Sequence, residues 1–449
     1  MTKSNLSYEF INAIKSIEGL QILTQENDRL RYSRDFYDYS PILLKKLNKC
    51  CAELVVRPET VKSVNIVASL CNKYNIYLTI RGSGTGNYGQ SVPLRGGVVM
   101  VMNLLTDIRH FDEFTGQVTV ETGCSLRDLD KFLSNRGRQL KILPSTWRSA
   151  SVGGFLSGGS GGIGSVRWGF LRDPGHLIDL EIVTMDNPSK IVTLDASQSE
   201  PINHAYGTNG IITALTITTA PLIHWHQIVI DISNWSEAVD LIKCCAQSAT
   251  EIYLLTLLEN KIVNCLPDWV GKSKNKHRVL LLVSPDSVRT IERISQRFDS
   301  EFISLGPEKL TKGSGLRELT WNHTTLHMRS SDKNWTYLQM LLPKEEIKLM
   351  DKLKKIWGDD LLWHLEVVRQ YGSQRIASLP VVRWRDKDSM ELLIDQCKEL
   401  GAVVFNPHVI TVEDGGLGVI DSDQVNAKKK NDPKGLLNPG KLKGWSNNR

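Results

Sequence analysis

The cysteines of this chain do not have the spacing of a metal site. There are eight among 449 residues, and none forms the CxxC spacing that zinc or iron–sulfur sites use. Reduced structural thiols are therefore the favoured interpretation. The cysteines are scattered along the chain at positions 50, 51, 71, 124, 244, 245, 265 and 397.

Long apolar runs and a strong charge imbalance are also missing. The first residues, MTKSNLSYEFINAIKSIEGL, contain no apolar run of signal-peptide length, and no later stretch approaches the ~20 apolar residues of a membrane helix. We therefore predict a cytoplasmic protein without an integral membrane segment. The net charge of +6 is modest for this length, which does not argue for nucleic acid but is compatible with an anionic ligand.

The length and texture of the chain predict several packed units. A single domain is typically about 100–200 residues long, so 449 residues suggest two or three. Short strands and helices alternate, which predicts an α+β fold rich in α/β units. The lysine run at 428–430 is typical of a solvated helix face. The predicted divisions are a helical arm at 1–47, a first domain at 48–222, a second at 223–400 and a loop-rich segment at 401–449.

One glycine-rich segment has the character of an anion site. In IYLTIRGSGTGNYGQS a strand runs into a turn with glycines at 82, 84, 86 and 89. Alternate glycines remove Cβ atoms from one side, so several backbone N–H groups can converge on a phosphate. The alternative is a tight connection that binds nothing, and this segment alone leaves both possibilities open.

A second glycine-rich segment contains a literal GxGxxG at Gly159, Gly161 and Gly164. That pattern indicates a dinucleotide-binding Rossmann unit only where it follows a strand and opens a helix. Here RSASVGGFLS precedes it, and neither glycine run leads into the GK[ST] of a phosphate-binding P-loop. A Gly/Ser loop that lets a large flat ligand lie against bare backbone is the better interpretation.

The order of five stretches resembles the vanillyl-alcohol-oxidase-type (PCMH-type) FAD-binding oxidoreductases, in the glycolate-oxidase-like and D-lactate-dehydrogenase-like branch. They are IRGSGTGNYGQSVPLRGGVVMVMN, GQVTVETGCSLRDL, PSTWRSASVGGFLSGGSGG, YGTNGIITALTITTAPL and DPKGLLNPGKL. The resemblance implies a two-subdomain FAD-binding domain and a separate cap that covers the reactive face of the flavin.

The resemblance also implies how FAD is held. Family members with a covalent flavin use a His where this chain has Thr85, or a Cys near Trp147, so noncovalent FAD is expected. The HxGDGNxH run of metal-using members is absent, so no metal is expected. The implied cofactor-binding residues are Arg81, Gly82, Ser83, Gly84, Thr85, Gly86, Tyr88, Gly89, Pro144, Ser151, Gly153, Gly154, Ser157, Gly158, Asn209, Gly210, Ile211, Ile212 and Lys441.

Candidates for catalysis come from the chemistry that a hydroxy acid requires. A base must stand near the hydroxyl, and a cation must bind the carboxylate. His364 and Glu366 share one face of a predicted strand, and His323 and His327 form an unconvincing metal pair because no acidic third ligand follows at a useful spacing. The full candidate set is Arg329 and Arg369 for the carboxylate, His364 and His408 as bases, and Asn406 and Glu366 as assisting groups.

The expected function is oxidation of a small 2-hydroxy acid, glycolate-like or D-lactate-like, or of a related alcohol by hydride transfer to flavin N5. Its partners would be the small-molecule substrate and either oxygen or an electron-acceptor protein. One alternative is oxidation of a larger polyol, sugar or secondary metabolite. Another is a non-catalytic, flavin-carrying subunit of a glycolate-dehydrogenase-like complex.

Overall fold

A computed structural model describes residues 6–273, 275–308 and 315–446. Its first lobe is a sheet in the order β1-β2-β4-β3, in which β2, β3 and β4 are parallel and β1 is antiparallel to β2. The strands are β1 (Leu20–Leu23), β2 (Leu54–Pro58), β3 (Leu78–Arg81) and β4 (Val98–Val101), and the helices are α1 (Tyr8–Lys15), α2 (Glu26–Tyr32), α3 (Pro41–Leu47) and α4 (Val61–Tyr74).

Helix α4 shows why this lobe folds locally as it does. Thr60 and Ser63 form a reciprocal capping box at its start, and Asn75 ends it in the left-handed conformation. Its apolar residues recur at helical spacing, with Val64, Val67 and Cys71 fully buried against the sheet. Strand β1 was not anticipated, since the sequence predicted only helices and an irregular arm before residue 48; β1 is stabilised by pairing with the distant strand β2.

The second lobe is an antiparallel sheet in the order β5-β6-β10-β8-β9. A short pair, β7 with β11, lies beside it. The strands are β5 (Ile108–Phe111), β6 (Gln117–Glu121), β7 (Arg138–Gln139), β8 (Leu177–Val183), β9 (Ile191–Asp195), β10 (Ile211–Thr218) and β11 (Ala220–Pro221), and the helices are α5 (Leu126–Ser134), α6 (Val152–Gly158), α7 (Ser165–Trp168) and α8 (Ala196–Ser199).

The cap is an eight-stranded antiparallel sheet within the described ranges, in the order β15-β12-β14-β13-β19-β20-β17-β22. A three-stranded sheet, β16-β21-β18, lies next to it. The strands are β12 (His226–Ile232), β13 (Ile252–Leu258), β14 (His277–Val283), β15 (Ser300–Pro307), β16 (Trp335–Tyr337), β17 (Met340–Leu341), β18 (Leu361–Leu362), β19 (His364–Gln370), β20 (Ser373–Ser378), β21 (Val381–Arg383) and β22 (Val403–Val404).

The two faces of the cap sheet have different partners, as the two-residue period of a strand allows. On β14, Val279 and Leu281 join the core beneath the helices, whereas Leu280 and Leu282 join the core shared with the second lobe. The cap and tail helices are α9 (Trp235–Gln247), α10 (Asn260–Val263), α11 (Val288–Ser295), α12 (Asn322–Ser331), α13 (Glu346–Trp357), α14 (Lys387–Glu399), α15 (Val412–Gly415), α16 (Ser422–Asn431) and α17 (Lys443–Ser446).

This arrangement confirms the predicted α+β class with a two-lobed first region and a separate cap. In the part of the chain that the structure describes, no helix is both long and apolar enough to cross a bilayer.

The C-terminal segment returns to the first region and joins its two lobes. Lys428, on α16, is 2% exposed, and its Nζ donates to the carbonyl oxygens of Thr208 and Leu437, at 2.6 Å each, and to the carboxylate of Asp432. The prediction of a solvated lysine face is therefore wrong for Lys428, because two backbone carbonyl oxygens and the Asp432 carboxylate meet at its ammonium. Lys429 and Lys430 are exposed, as predicted.

Removing this buried ammonium should destabilise the whole molecule. We predict that Lys428→Met lowers the free energy of unfolding by about 3–5 kcal/mol, because the Asp432 carboxylate would stay buried without its counter-charge. Lys429→Met, one position along the same helix but exposed, should change it by less than about 0.5 kcal/mol. Urea titration of both variants measures the difference, and equal stabilities would contradict this account.

Candidate functional site

A cavity of about 1460 Å³ lies where the two lobes and the cap meet. The first lobe contributes the turn after β3, the second lobe contributes α6 and the loops around it, and the cap contributes α12, β17 and β20. A single chamber is thus bounded by backbone-rich loops on one side and by cap side chains on the other. Pockets at such junctions are the usual ligand sites of multidomain proteins.

The turn after β3 presents a row of free backbone donors to this cavity. Among the described residues, the N–H groups of 83–87 donate to no carbonyl oxygen or side chain. Gly84 has a φ of +70°, and a Cβ there would collide with the guanidinium of Arg81. Unsatisfied N–H groups in a concave turn attract anions, so the geometry fits the pyrophosphate of FAD.

Buried cations support this turn from beneath. Arg81 Nη1 donates to the carbonyl oxygen of Arg34 at 2.5 Å and to Ser91 Oγ at 3.2 Å, and Lys441 Nζ donates to the carbonyl oxygen of Gly89. Burial lowers the pKa of Lys441 to about 8, and burial raises the pKa of the neighbouring Asp35 to about 6 despite both cations. These groups hold positive charge under the loop without lining the cavity.

Helix α6 forms the opposite wall, and its glycines have separate roles. The Ser151 side chain caps the helix by accepting from Gly154 N at 3.3 Å. A Cβ on Gly153 would collide with Thr122 Oγ1, so that glycine permits close packing. Gly154 instead faces Gly82: a Cβ there would lie 2.8 Å from Ser151 Oγ and 3.8 Å from the Gly82 Cα.

The GxGxxG pattern is not a Rossmann turn. Helix α6 rather than a strand precedes it, which agrees with the interpretation of this segment as a loop. A Cβ on Gly161 would lie 3.1 Å from the Phe170 ring and 3.2 Å from that of Trp321. This glycine therefore allows two aromatic rings to approach the backbone at the cavity wall.

The structure brings most of the predicted cofactor residues together. Arg81, Gly89, Asn209, Ile211 and Lys441 stand behind the cavity wall, where Asn209, for example, bonds to Pro201 and Asn431. The predicted residues that do line the cavity are Gly82, Ser83, Gly84, Thr85, Gly86, Tyr88, Pro144, Ser151, Gly153, Gly154, Ser157, Gly158, Gly210 and Ile212.

None of the six catalytic candidates is among the lining residues. His364 Nε2 lies 2.8 Å from Glu366 Oε1, so the predicted shared face exists, but both side chains are buried in the cap. Arg329 pairs with Asp38 at 3.2 Å. Arg369 Nη1 donates to the carbonyl oxygen of Gly372 at 3.3 Å. Catalytic roles for these residues stay predictions.

His408 and Asn406 lie in the segment that follows β22. Asn406 Oδ1 accepts from His408 N at 2.9 Å. The His408 ring lies between Ser40 Oγ, at 2.8 Å, and the carbonyl oxygen of Tyr337, at 3.0 Å. Burial lowers the pKa of His408 to about 4, so its ring is neutral near neutral pH.

Other polar residues line the cap side of the cavity and were not singled out for it. Arg375, on β20, lies on the same strand face as Ala377. Among the described residues its guanidinium donates to neutral oxygens alone, Gln370 Oε1 at 3.4 Å and the Leu342 carbonyl at 3.1 Å. The two-residue alternation of β20 could have predicted that Arg375 lies on the inner face of the strand, but not that it shares a cavity with the glycine turn.

His323 and Gln339 belong to this polar set too, as do Glu318, Asn322 and Gln370. His323 Nδ1 lies 3.6 Å from Glu318 Oε2, and burial lowers the pKa of its imidazole. Gln339 Oε1 accepts from Tyr88 Oη at 2.6 Å, which joins the glycine segment to the cap. In the described ranges, no group of three or more His, Cys, Asp or Glu side chains is placed to hold a metal ion.

Comparison with known proteins agrees with this geometry. Residues 52–193 match the FAD binding domain family. A D-2-hydroxyglutarate dehydrogenase of Danio rerio is 26% identical over 209 residues, which are 45% of this chain and 39% of that protein. The glycolate oxidase subunit GlcD of Bacillus subtilis is 21% identical over 433 residues, covering 87% of this chain and 88% of that protein.

The match thus spans about two fifths of the length of the Danio rerio relative, and most of the length of GlcD. Among solved structures, an alkyldihydroxyacetonephosphate synthase superimposes with a TM-score of 0.75 at 15% identity, covering 98% of this chain and 86% of that one. This last likeness concerns the fold alone.

Filling the gap between α6 and the glycine turn should prevent cofactor retention. We predict that Gly154→Leu purifies folded but without visible flavin absorbance, because its side chain would enter the space next to Gly82. Gly153→Ala should instead retain FAD but melt at a lower temperature, because the added Cβ would collide with Thr122. Full flavin occupancy in Gly154→Leu would show that the site is misplaced.

The buried imidazole of His408 should make stability depend on pH. The unfolded ring takes up a proton near pH 6.5, whereas the folded ring resists protonation down to about 4. The free energy of unfolding is therefore highest above about pH 6.5, and it falls by up to about 3 kcal/mol as the pH drops from there to about 4. Urea denaturation near pH 7 and near pH 5 should show that the free energy of unfolding drops less in His408→Gln than in the unchanged protein. An unchanged loss would contradict a neutral His408.

Proposed function

We propose that this chain, whose residues 52–193 match an FAD binding domain, is an oxidoreductase that oxidises a small 2-hydroxy acid of the glycolate or D-lactate class. The relatives named as hydroxy-acid dehydrogenases and as a glycolate oxidase subunit support the reaction class. They match at low identity, so the substrate assignment depends on the site itself.

One observation carries the proposal: a cap arginine without a carboxylate partner faces the same cavity as the glycine turn. Among the described residues Arg375 forms no ion pair, whereas Arg172, which also lines the cavity, donates to Glu200 Oε1 at 2.8 Å. A guanidinium with only neutral acceptors can still bind a carboxylate from solution.

The residues around the cavity divide between cofactor and substrate. The N–H groups of 83–87 would hold the pyrophosphate of noncovalent FAD, and bound FAD supplies the hydride acceptor for the oxidation. Arg375 would bind the carboxylate of the substrate and orient its carbon–hydrogen bond. His323, whose pKa is lowered by burial, is neutral at neutral pH and would accept the hydroxyl proton.

A panel of substrates under anaerobic conditions tests this function. Glycolate or D-lactate alone should bleach the flavin, and Arg375→Gln should raise the KM by roughly ten- to a hundredfold through loss of a charged hydrogen bond. Arg172→Gln is the matched control and should leave the KM near that of the unchanged protein. Bleaching by polyols or sugars alone would overturn the substrate class, and a lack of bleaching by any donor would favour a non-catalytic flavin subunit.

A further inference from the structure

The residue immediately before α12, Trp321, has an unusual backbone conformation. Trp321 has φ +53° and ψ −138°, a region that side-chain-bearing residues seldom occupy. Such a conformation is strained and persists only where surrounding contacts impose it. Trp321 is also 8% exposed and lines the cavity, as do the two residues that follow it.

A buried carboxylate in the cap stabilises this conformation. Glu366 is 1% exposed, and its Oε1 accepts from the backbone N–H of Trp321 at 2.8 Å. The same oxygen lies 2.8 Å from His364 Nε2, and Oε2 accepts from Thr256 Oγ1 at 2.6 Å. Among the described residues His364 Nδ1 is buried without a partner, so Nε2 is the ring nitrogen that faces the carboxylate. The Glu366 carboxylate is therefore anchored by strands β13 and β19. At the cavity wall it binds the backbone N–H of Trp321.

The indole ring forms part of the cavity wall at the contact between the cap and the second lobe. Its far edge packs beside Phe170 over the bare backbone of Gly161. The indole Nε1 is buried and has no hydrogen-bond partner among the described residues. A buried N–H without an acceptor is costly unless a ligand supplies one.

We propose that Trp321 is the wall that limits substrate size and that Glu366 is a positioning residue, which holds this wall by binding the Trp321 backbone rather than the substrate. The inference relies on the proposed function only for the chemical class of the ligand in the cavity. Glu366 is thereby assigned a role other than assisting a catalytic base, because its three donors occupy both of its oxygens.

Variants of the FAD-loaded protein, labelled with 5-fluorotryptophan, test both parts. In Glu366→Leu the fluorine resonance of Trp321, assigned by its loss in Trp321→Phe, should shift, and the KM for glycolate or D-lactate should rise about tenfold while FAD stays bound. Glu366→Gln keeps an acceptor oxygen for the Trp321 N–H, so it should restore both readouts. Thr256→Val removes only the donor at Oε2, and should lower the melting temperature without moving the resonance.

A second variant keeps the test decisive if Glu366→Leu does not fold. Trp321→Gly removes the ring and suits the positive φ, and it should extend flavin reduction to 2-hydroxy acids with longer side chains. An unmoved resonance in folded Glu366→Leu, or an unchanged substrate range in Trp321→Gly, would overturn the proposal. If no hydroxy acid reduces the unmodified protein, the proposed function fails, while the resonance still decides whether Glu366 positions Trp321.

Discussion

The buried ammonium of Lys428 is the interaction on which the geometry of the first region depends. It draws together the carbonyl oxygen of Thr208, just before β10, and that of Leu437, while its partner Asp432 accepts from the backbone of 436 and 437. The neighbouring backbone then bonds to Leu78 at the start of β3. Both lobes are thereby fixed to one segment of the C-terminal chain, and the gap between them becomes a cavity of defined width.

The width of the cavity matters because neither the glycine turn nor helix α6 can bind a flat anionic cofactor alone. The turn at 82–87 supplies free N–H groups, and α6 supplies a glycine face opposite them. Buried Arg81 and Lys441 add positive charge behind the turn without occupying it. The bond from Tyr88 to Gln339 joins this half of the site to the cap, so cofactor binding and cap position are physically connected.

On the cap side, a buried polar group again imposes a conformation that local preferences would not choose. Glu366 compensates the strained backbone of Trp321 by accepting its N–H, just as Asp432 accepts two N–H groups beside Lys428. Satisfied buried polar groups contribute little net stability on average, but they strongly disfavour alternative arrangements that would leave them unpaired. In this protein they occur where the cavity wall has to be held in one position.

The sequence by itself determined the α+β class, because periodicity is a local property of the chain. The FAD-binding region followed from the order of five stretches that resembles the PCMH-type oxidoreductases, and the glycine spacing marked a candidate anion turn. Tertiary structure alone decided that Lys428 is buried, that β1 joins the first sheet and that Arg375 and His323 line the cavity. His364 and Glu366 illustrate the difference: their shared face follows from the two-residue period of a strand, but whether that face meets a cavity or a packed core depends on segments far away in the chain.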